Sequence, residues 1–266
     1  TTAETDIYRP YTPSERGRIA EAILTAIAST NELIKPYAPS GVGCDPLDIT
    51  GAIKRGFGTL DNARWIFENK LNCIPVGFKT ADKSDPYQRA FINILGQQAA
   101  SIDDIYRSWG VLYSRDSSVL APYVARLAQV TGLNTDSLVS LDVEDFVEAH
   151  PLTNRPCLRY WKERSTGERE YHLDLFKADI TWLTTSQGRE VKKLFDEVIA
   201  VTSNFRGEAP KDVAAKLFIY RSSSPRTFNK IKSLEGSAST IINKIFEKFV
   251  DEYELKLDSG EPLSIS

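Results

Sequence analysis

Val130-Thr131-Gly132-Leu133-Asn134-Thr135-Asp136-Ser137-Leu138-Val139-Ser140-Leu141-Asp142-Val143-Glu144-Asp145-Phe146 holds two helix boundaries within a few residues. Gly132 suits the left-handed conformation that closes a helix. Asn134-Thr135-Asp136-Ser137 supplies the short polar side chains that cap the next one, a short helix carrying Leu138, Val139 and Leu141. Upstream, Val119, Leu120, Tyr123, Val124, Leu127 and Val130 recur at helical spacing and predict a helix over 117–130. Downstream the period changes. Cys157-Leu158-Arg159-Tyr160-Trp161-Lys162 and Glu170-Tyr171-His172-Leu173-Asp174-Leu175-Phe176 read as two strands, with Ser165-Thr166-Gly167 as the turn between them. Alternation along the first strand turns Trp161 inward and Lys162 outward.

The flanks are helical. Thr12-Pro13-Ser14-Glu15 has the residues of a capping box, with Pro13 at the first helical position, and Ile19, Ile23, Leu24 and Ile27 follow at helical spacing. Residues 36–62 are rich in Gly and Pro and are read as loops joining two short helices. Helices are predicted over 62–71 and 87–98, with a loop over 75–86, and Ser101 opens a further helix. Beyond the hairpin, helices are predicted over 188–202 and 239–254. Residues 216–221 form a short apolar run of either type, and 255–266 read as a turn and a loose end. No internal repeat is present. The predicted fold class is mainly α with a small β-hairpin or three-stranded sheet, an α+β arrangement. Trp65, Trp109, Trp161 and Trp182 are read mostly as core residues.

Composition narrows the function. The chain has 266 residues, 41% of them apolar, 26% charged and 10% aromatic, which excludes a disordered or collagen-like chain. No run approaches eighteen apolar residues, and the first residues lack the basic and apolar regions of a signal peptide. Three widely spaced cysteines, Cys44, Cys73 and Cys157, and two histidines, His150 and His172, argue against a disulfide framework or a metal site. They fit a reducing, cytoplasmic setting. Neither a G-x-x-x-x-G-K-[ST] nor a G-x-G-x-x-G motif occurs, so no nucleotide cofactor is expected. The net charge is −3, yet residues 155–232 hold sixteen Lys and Arg against ten Asp and Glu. That asymmetry permits one basic face on an acidic protein. Methionine is absent, position 1 included, so the chain is read as a fragment, a processed product or a sequence without its modified residues.

Thr131-Gly132-Leu133, the Ser140-Leu141-Asp142-Val143-Glu144-Asp145 stretch and the lysine-bearing hairpin together resemble the front half of the catalytic domain of a tyrosine recombinase, the phage-integrase family. In that family a helix ends in T-G-L-R, followed by x-x-E-L, then L-x-W-x-D-I, then a β-hairpin with a lysine at its turn. Tyr11-Thr12-Pro13-Ser14-Glu15 resembles the family's first catalytic-domain helix. The resemblance covers about residues 8–30 and 115–176. On it, residues 1–266 are an incomplete catalytic domain, and 36–114 are a helical insertion without counterpart. Leu95-Gly96-Gln97 to Tyr106 imitates the family's L-G-H…Y spacing but precedes Asn134, the wrong order, and is read as an ordinary helix pair.

The resemblance implies binding to double-stranded DNA, with other recombinase protomers on the same DNA. It implies strand breakage and rejoining through a phosphotyrosine link, as in integration of a mobile element, in the bacterial cytoplasm or nucleoid. No metal or other cofactor is implied, and no membrane. Lys162 corresponds to the general acid toward the leaving 5′-oxygen; Arg159, Arg164 and Arg169 are the candidate DNA-binding cations, with Arg159 or Arg164 the candidates to reach the arginine's place. Two positions depart from the pattern. Asn134 falls where the family has its first catalytic arginine, and Ser137 where it has glutamate. Asparagine donates hydrogen bonds but brings no charge, and losing that charge costs on the order of several kcal/mol of transition-state stabilisation. Either another cation replaces the arginine or the protein does not cleave DNA. The family's H-x-x-R box and tyrosine nucleophile are expected beyond Ser266, so this fragment is expected to be inactive. Two alternatives stand beside the recombinase: a non-catalytic DNA-binding or assembly relative of the fold, and an all-helical interaction domain.

Overall fold

The computed structural model describes residues 10–48, 58–113, 117–160, 179–222, 224–235 and 239–263. The chain divides into two compact units, one formed by Thr1–Thr30 with Ser117–Ser266, the other by Asn31–Asp116.

The first unit opens with α1 (Pro13–Leu33), whose last residues lie past the division. Its start is the expected capping box: Glu15 N–H donates to Thr12 Oγ1 at 3.1 Å and Thr12 N–H to Glu15 Oε2 at 2.8 Å. The second oxygen of the buried Glu15 accepts the Asp258 N–H at 2.8 Å, tying the helix start to the turn after the last helix. The buried stripe is Ala22, Ile23, Ala26, Ile27 and Thr30, whereas Leu24, expected on that face, is 52% exposed.

A 3₁₀ turn at Ser117–Leu120 leads into α5 (Ala121–Thr131), which packs against α6 (Thr135–Val139), α7 (Thr185–Arg206) and α9 (Ser239–Glu252). Leu120, Tyr123, Val124 and Leu127 are fully buried in that core. Helix α7 carries its own capping box, Thr184 with Gln187. Three antiparallel strands lie in the order β1 (Phe146–Val147), β2 (Cys157–Tyr160), β3 (Asp179–Trp182). In this register Cys157 faces Trp182 and Tyr160 faces Asp179.

β2 thus pairs with β1 on one side and with Asp179–Trp182 on the other, and the alternation pattern did not identify the latter strand. The expected return strand at 170–176 and the turn at 165–167 lie outside the described residues. A one-turn helix, α8 (Lys211–Ala215), precedes a second antiparallel pair, β4 (Ile219–Arg221) and β5 (Ile231–Ser233). Ile219 and Ile231 close over Phe205 of α7 as a small separate cluster. The architecture is thus mainly helical with two small antiparallel sheets, an α+β fold.

The second unit has α2 (Leu60–Asn69), α3 (Pro86–Leu95) and α4 (Ile102–Ser108). Thr59, Asp85 and Ser101 cap them by accepting backbone N–H groups. The two short helices expected over 36–62 do not appear among the described residues of that stretch before α2. Phe67, Phe91, Tyr106 and Trp109 form an aromatic centre with ring centroids 5.6–6.3 Å apart. Tyr106 is fully buried and donates to Val76 O at 2.9 Å, so the Leu95–Tyr106 stretch is a core-forming helix pair.

Candidate functional site

The site grows from the end of α5. Gly132 takes φ +71° and its N–H bonds Ala128 O, a left-handed C-cap that a β-carbon would strain. Thr131 Oγ1 donates back to Leu127 O at 2.6 Å. The chain then re-enters a helix at once. Asn134 is exposed, with extended backbone, and its Oδ1 accepts the Ser137 N–H at 2.9 Å. Ser137, Leu138 and Val139 turn inward and are buried. Asn134 is thus the N-cap of α6, and its acceptor oxygen is committed to that cap.

Leu141 is buried, and a tight turn follows it. Asp142 N–H donates to Asp145 Oδ2 at 2.8 Å, and Asp145 N–H to Asp142 O at 3.1 Å. The segment before β4 runs alongside: Val143 N–H bonds Ala215 O, and Leu217 N–H bonds Leu141 O, each at 2.8 Å. This pairing carries Lys216 into the turn. Its Nζ lies 2.9 Å from Glu235 Oε2, 3.1 Å from Asp142 Oδ1 and 3.2 Å from Ser140 O. Burial pulls the Lys216 pKa down, but the bonds to Glu235 and Asp142 outweigh it, and the net shift is upward. A lysine acting as an acid near neutral pH needs the opposite shift. Lys216 is a fixed cation that ties three segments together.

On the sheet side, Arg159 N–H bonds Asp145 O at 2.9 Å, Arg159 Nη2 donates to Glu144 O at 2.6 Å, and Nε lies 3.7 Å from Asp145 Oδ1. Asp145 is held above the ordinary carboxylate range by burial, with the nearby Asp142 charge adding to the effect. The Asp142 N–H, Arg159 and Lys216 oppose it. The guanidinium of Arg159 is 44% exposed and is aimed by these contacts.

Of the residues singled out from sequence, Asn134 and Arg159 are described. They sit on α6 and β2, and the Asp142–Asp145 turn connects the two elements. Among the described residues no hydrogen bond joins Asn134 to Arg159. Lys162, Arg164 and Arg169 lie outside the described residues. Trp182, read as a core residue, is instead 40% exposed. Its ring meets the edge of His150 at 5.1 Å and lies under the Arg155 guanidinium at 5.7 Å. The Lys216–Asp142–Glu235 cluster escaped sequence reading. Its only local trace is a lysine directly ahead of the apolar Leu217-Phe218-Ile219-Tyr220 run.

Among the described residues no group of three or more His, Cys, Asp or Glu side chains is placed to hold a metal ion, and no helix is long and apolar enough to cross a membrane. The three cysteines are free thiols. None of the family models, curated proteins or solved structures compared with the chain matches it.

Proposed function

We propose that the chain is part of a DNA-binding protein of the tyrosine-recombinase type, and that its first unit is the front of that protein's catalytic domain. The carrying observation is the continuous run from the left-handed Gly132, through the Asn134-capped α6 and the Asp142–Asp145 turn, into a three-stranded antiparallel sheet. That is the order of elements on which the family resemblance rests. Arg159 supplies an exposed, positioned guanidinium for a phosphate; the roles of Lys162 as general acid and of Arg164 and Arg169 as DNA contacts rest on the resemblance, since all three lie outside the described residues. The setting is the cell interior where DNA is handled, and no cofactor is required.

The non-catalytic reading has one observation in its favour. The residue at the position of the first arginine is neutral, and its Oδ1 is engaged in capping. Two described cations tied to the Asp142–Asp145 turn, Arg159 and Lys216, are held by carboxylates and carbonyls. A duplex carrying a nick beside the cleavage position traps a phosphotyrosine link. Incubated with the full-length protein, it yields a covalent protein–DNA product if the protein is a recombinase. Duplex binding without covalent product assigns the non-catalytic role. Failure to bind duplex at all removes both.

A further inference from the structure

The segment 213–234 contains Lys216, Arg221, Arg226, Lys230 and Lys232 and no Asp or Glu. Most of it is the β4–β5 hairpin. Ile219 and Ile231 bury its inner side against Phe205. The tip is tied down. Ser222 N–H bonds Lys230 O and Asn229 N–H bonds Ser222 O, each at 2.9 Å. Lys230 N–H bonds Thr227 O at 3.0 Å, and the Ser222 and Thr227 hydroxyls lie 2.7 Å apart. Asn229 takes the left-handed conformation at φ +66° and closes the turn.

The five cations divide by use. Lys216 is held by Asp142 and Glu235. Arg221 is held by Glu208 at 3.0 Å and by Asn229 Oδ1 at 3.3 Å. Arg226 and Lys230 are exposed and Lys232 is half-buried, and among the described residues none of the three has a carboxylate partner. Helix α7 shows the contrast: Lys192 pairs with Asp196 at 2.7 Å and Lys193 with Glu197 at 3.7 Å, one turn apart. There the charge is cancelled locally, and at Arg226, Lys230 and Lys232 it is not. The hairpin also springs from the segment hydrogen-bonded to Leu141 and Val143, so it shares its base with the Asn134 site.

We infer that the β4–β5 hairpin is a second DNA-gripping element, with Arg226, Lys230 and Lys232 contacting backbone phosphates of a duplex. This rests on the DNA-binding reading of the first unit. The chemistry fits phosphate better than base edges, because the one tip amide oxygen suited to a base, Asn229 Oδ1, already accepts from Arg221. The bonds within the turn hold its backbone, so contact orders chiefly the cationic side chains.

The test is binding of the 266-residue chain to a mixed-sequence duplex of about 30 base pairs over a salt series, long enough to cover every phosphate contact. Three variants are compared with wild type. In the first, Arg226, Lys230 and Lys232 are all changed to Gln. The second exchanges the same residues as Arg226→Lys, Lys230→Arg and Lys232→Arg, and the third is Lys192→Gln. The Gln variant is expected to lose on the order of a hundredfold in affinity near 0.1 M salt and to flatten the log–log salt slope by about 2–3. The charge-conserving variant and Lys192→Gln are expected to keep the wild-type slope. Unchanged thermal unfolding of the Gln variant shows that the loss is not one of folding. Wild-type binding with an equal slope in the Gln variant overturns the hairpin proposal alone and leaves the hairpin to an acidic protein partner. A wild-type chain that ignores duplex at low salt overturns the DNA reading and the hairpin with it.

Discussion

The Asn134 carboxamide oxygen accepts the Ser137 backbone N–H at 2.9 Å. The same residue therefore marks the site and starts the helix that builds it. Replacing it by Ala removes the cap and is expected to lower the stability of the first unit by about 1 kcal/mol, whereas Asp keeps the acceptor and is expected to be neutral or slightly stabilising. Asn134→Arg restores the charge of the family pattern but loses the cap, so it is expected to bind DNA more tightly while unfolding at a lower temperature. Thermal unfolding and duplex binding of the three variants check this.

Gly188 stands where α7 meets the residue before β2. A β-carbon there would lie 2.7 Å from the Cβ and Cγ atoms of Pro156. Gly188→Ala is expected to destabilise by about 1–3 kcal/mol through overpacking. Gly207, at the other end of the same helix, has open space around it and a negative φ. Gly207→Ala is expected to be neutral or to stabilise by a few tenths of a kcal/mol, up to about 1 kcal/mol. Denaturant midpoints of the pair separate the two effects.

Glu68 closes the start of the second unit. Its side chain accepts from Tyr37 Oη at 2.5 Å, from Ser40 N–H and Oγ at 2.8 Å each, and from Gly41 N–H at 3.1 Å, with Arg64 Nε at 3.2 Å. Burial alone would raise its pKa, but these hydrogen bonds outweigh burial and hold it at about 2. A carboxyl lowered on folding stabilises the fold above its unfolded pKa, and that contribution is lost as pH falls through the folded value. The second unit is therefore expected to lose stability progressively from about pH 4.5 down to about 2. Glu68→Gln sets an amide against donors and is expected to cost roughly 1–3 kcal/mol at neutral pH and to flatten that acid dependence. Urea unfolding as a function of pH checks both.

Lys216 joins Asp142 and Glu235 across three segments. Lys216→Met leaves two partly exposed carboxylates without their cation and is expected to destabilise the first unit by about 1–2 kcal/mol, an effect reduced at high salt. Adding Glu235→Gln is expected to recover part of the loss, because one unpaired charge goes with it. A double-mutant cycle by thermal unfolding measures the coupling.

What sequence reading captured and missed follows the range of the interactions. The caps at Thr12, Ser101 and Asn134 and the left-handed Gly132 are local, decided by residues within four positions, and they were legible. The apolar face over 117–130 was legible because Val119, Leu120, Tyr123, Val124 and Leu127 are all buried at helical spacing. Strands fared worse. Asp179-Ile180-Thr181-Trp182 was not read as a strand, and only the register beside β2 shows that it is one. Strand β5 has a single apolar residue, Ile231, between Lys230 and Lys232, and carries no pattern of its own. Helix α8 buries none of its residues and so has no periodicity to read. Trp182 looked like core by residue type, but its face of the sheet is left uncovered beside His150 and Arg155. The Lys216 cluster joins residues up to 93 positions apart (Asp142 to Glu235), beyond any local signal.

We propose that the chain binds duplex DNA through its phosphates. The most direct measurement is the association constant of the wild-type chain for a mixed-sequence duplex at several salt concentrations. Tight binding at low salt is expected, with a linear fall of log affinity with log salt and a slope of several units, about 0.9 per phosphate contacted. No binding at low salt, or binding that salt leaves unchanged, would contradict it.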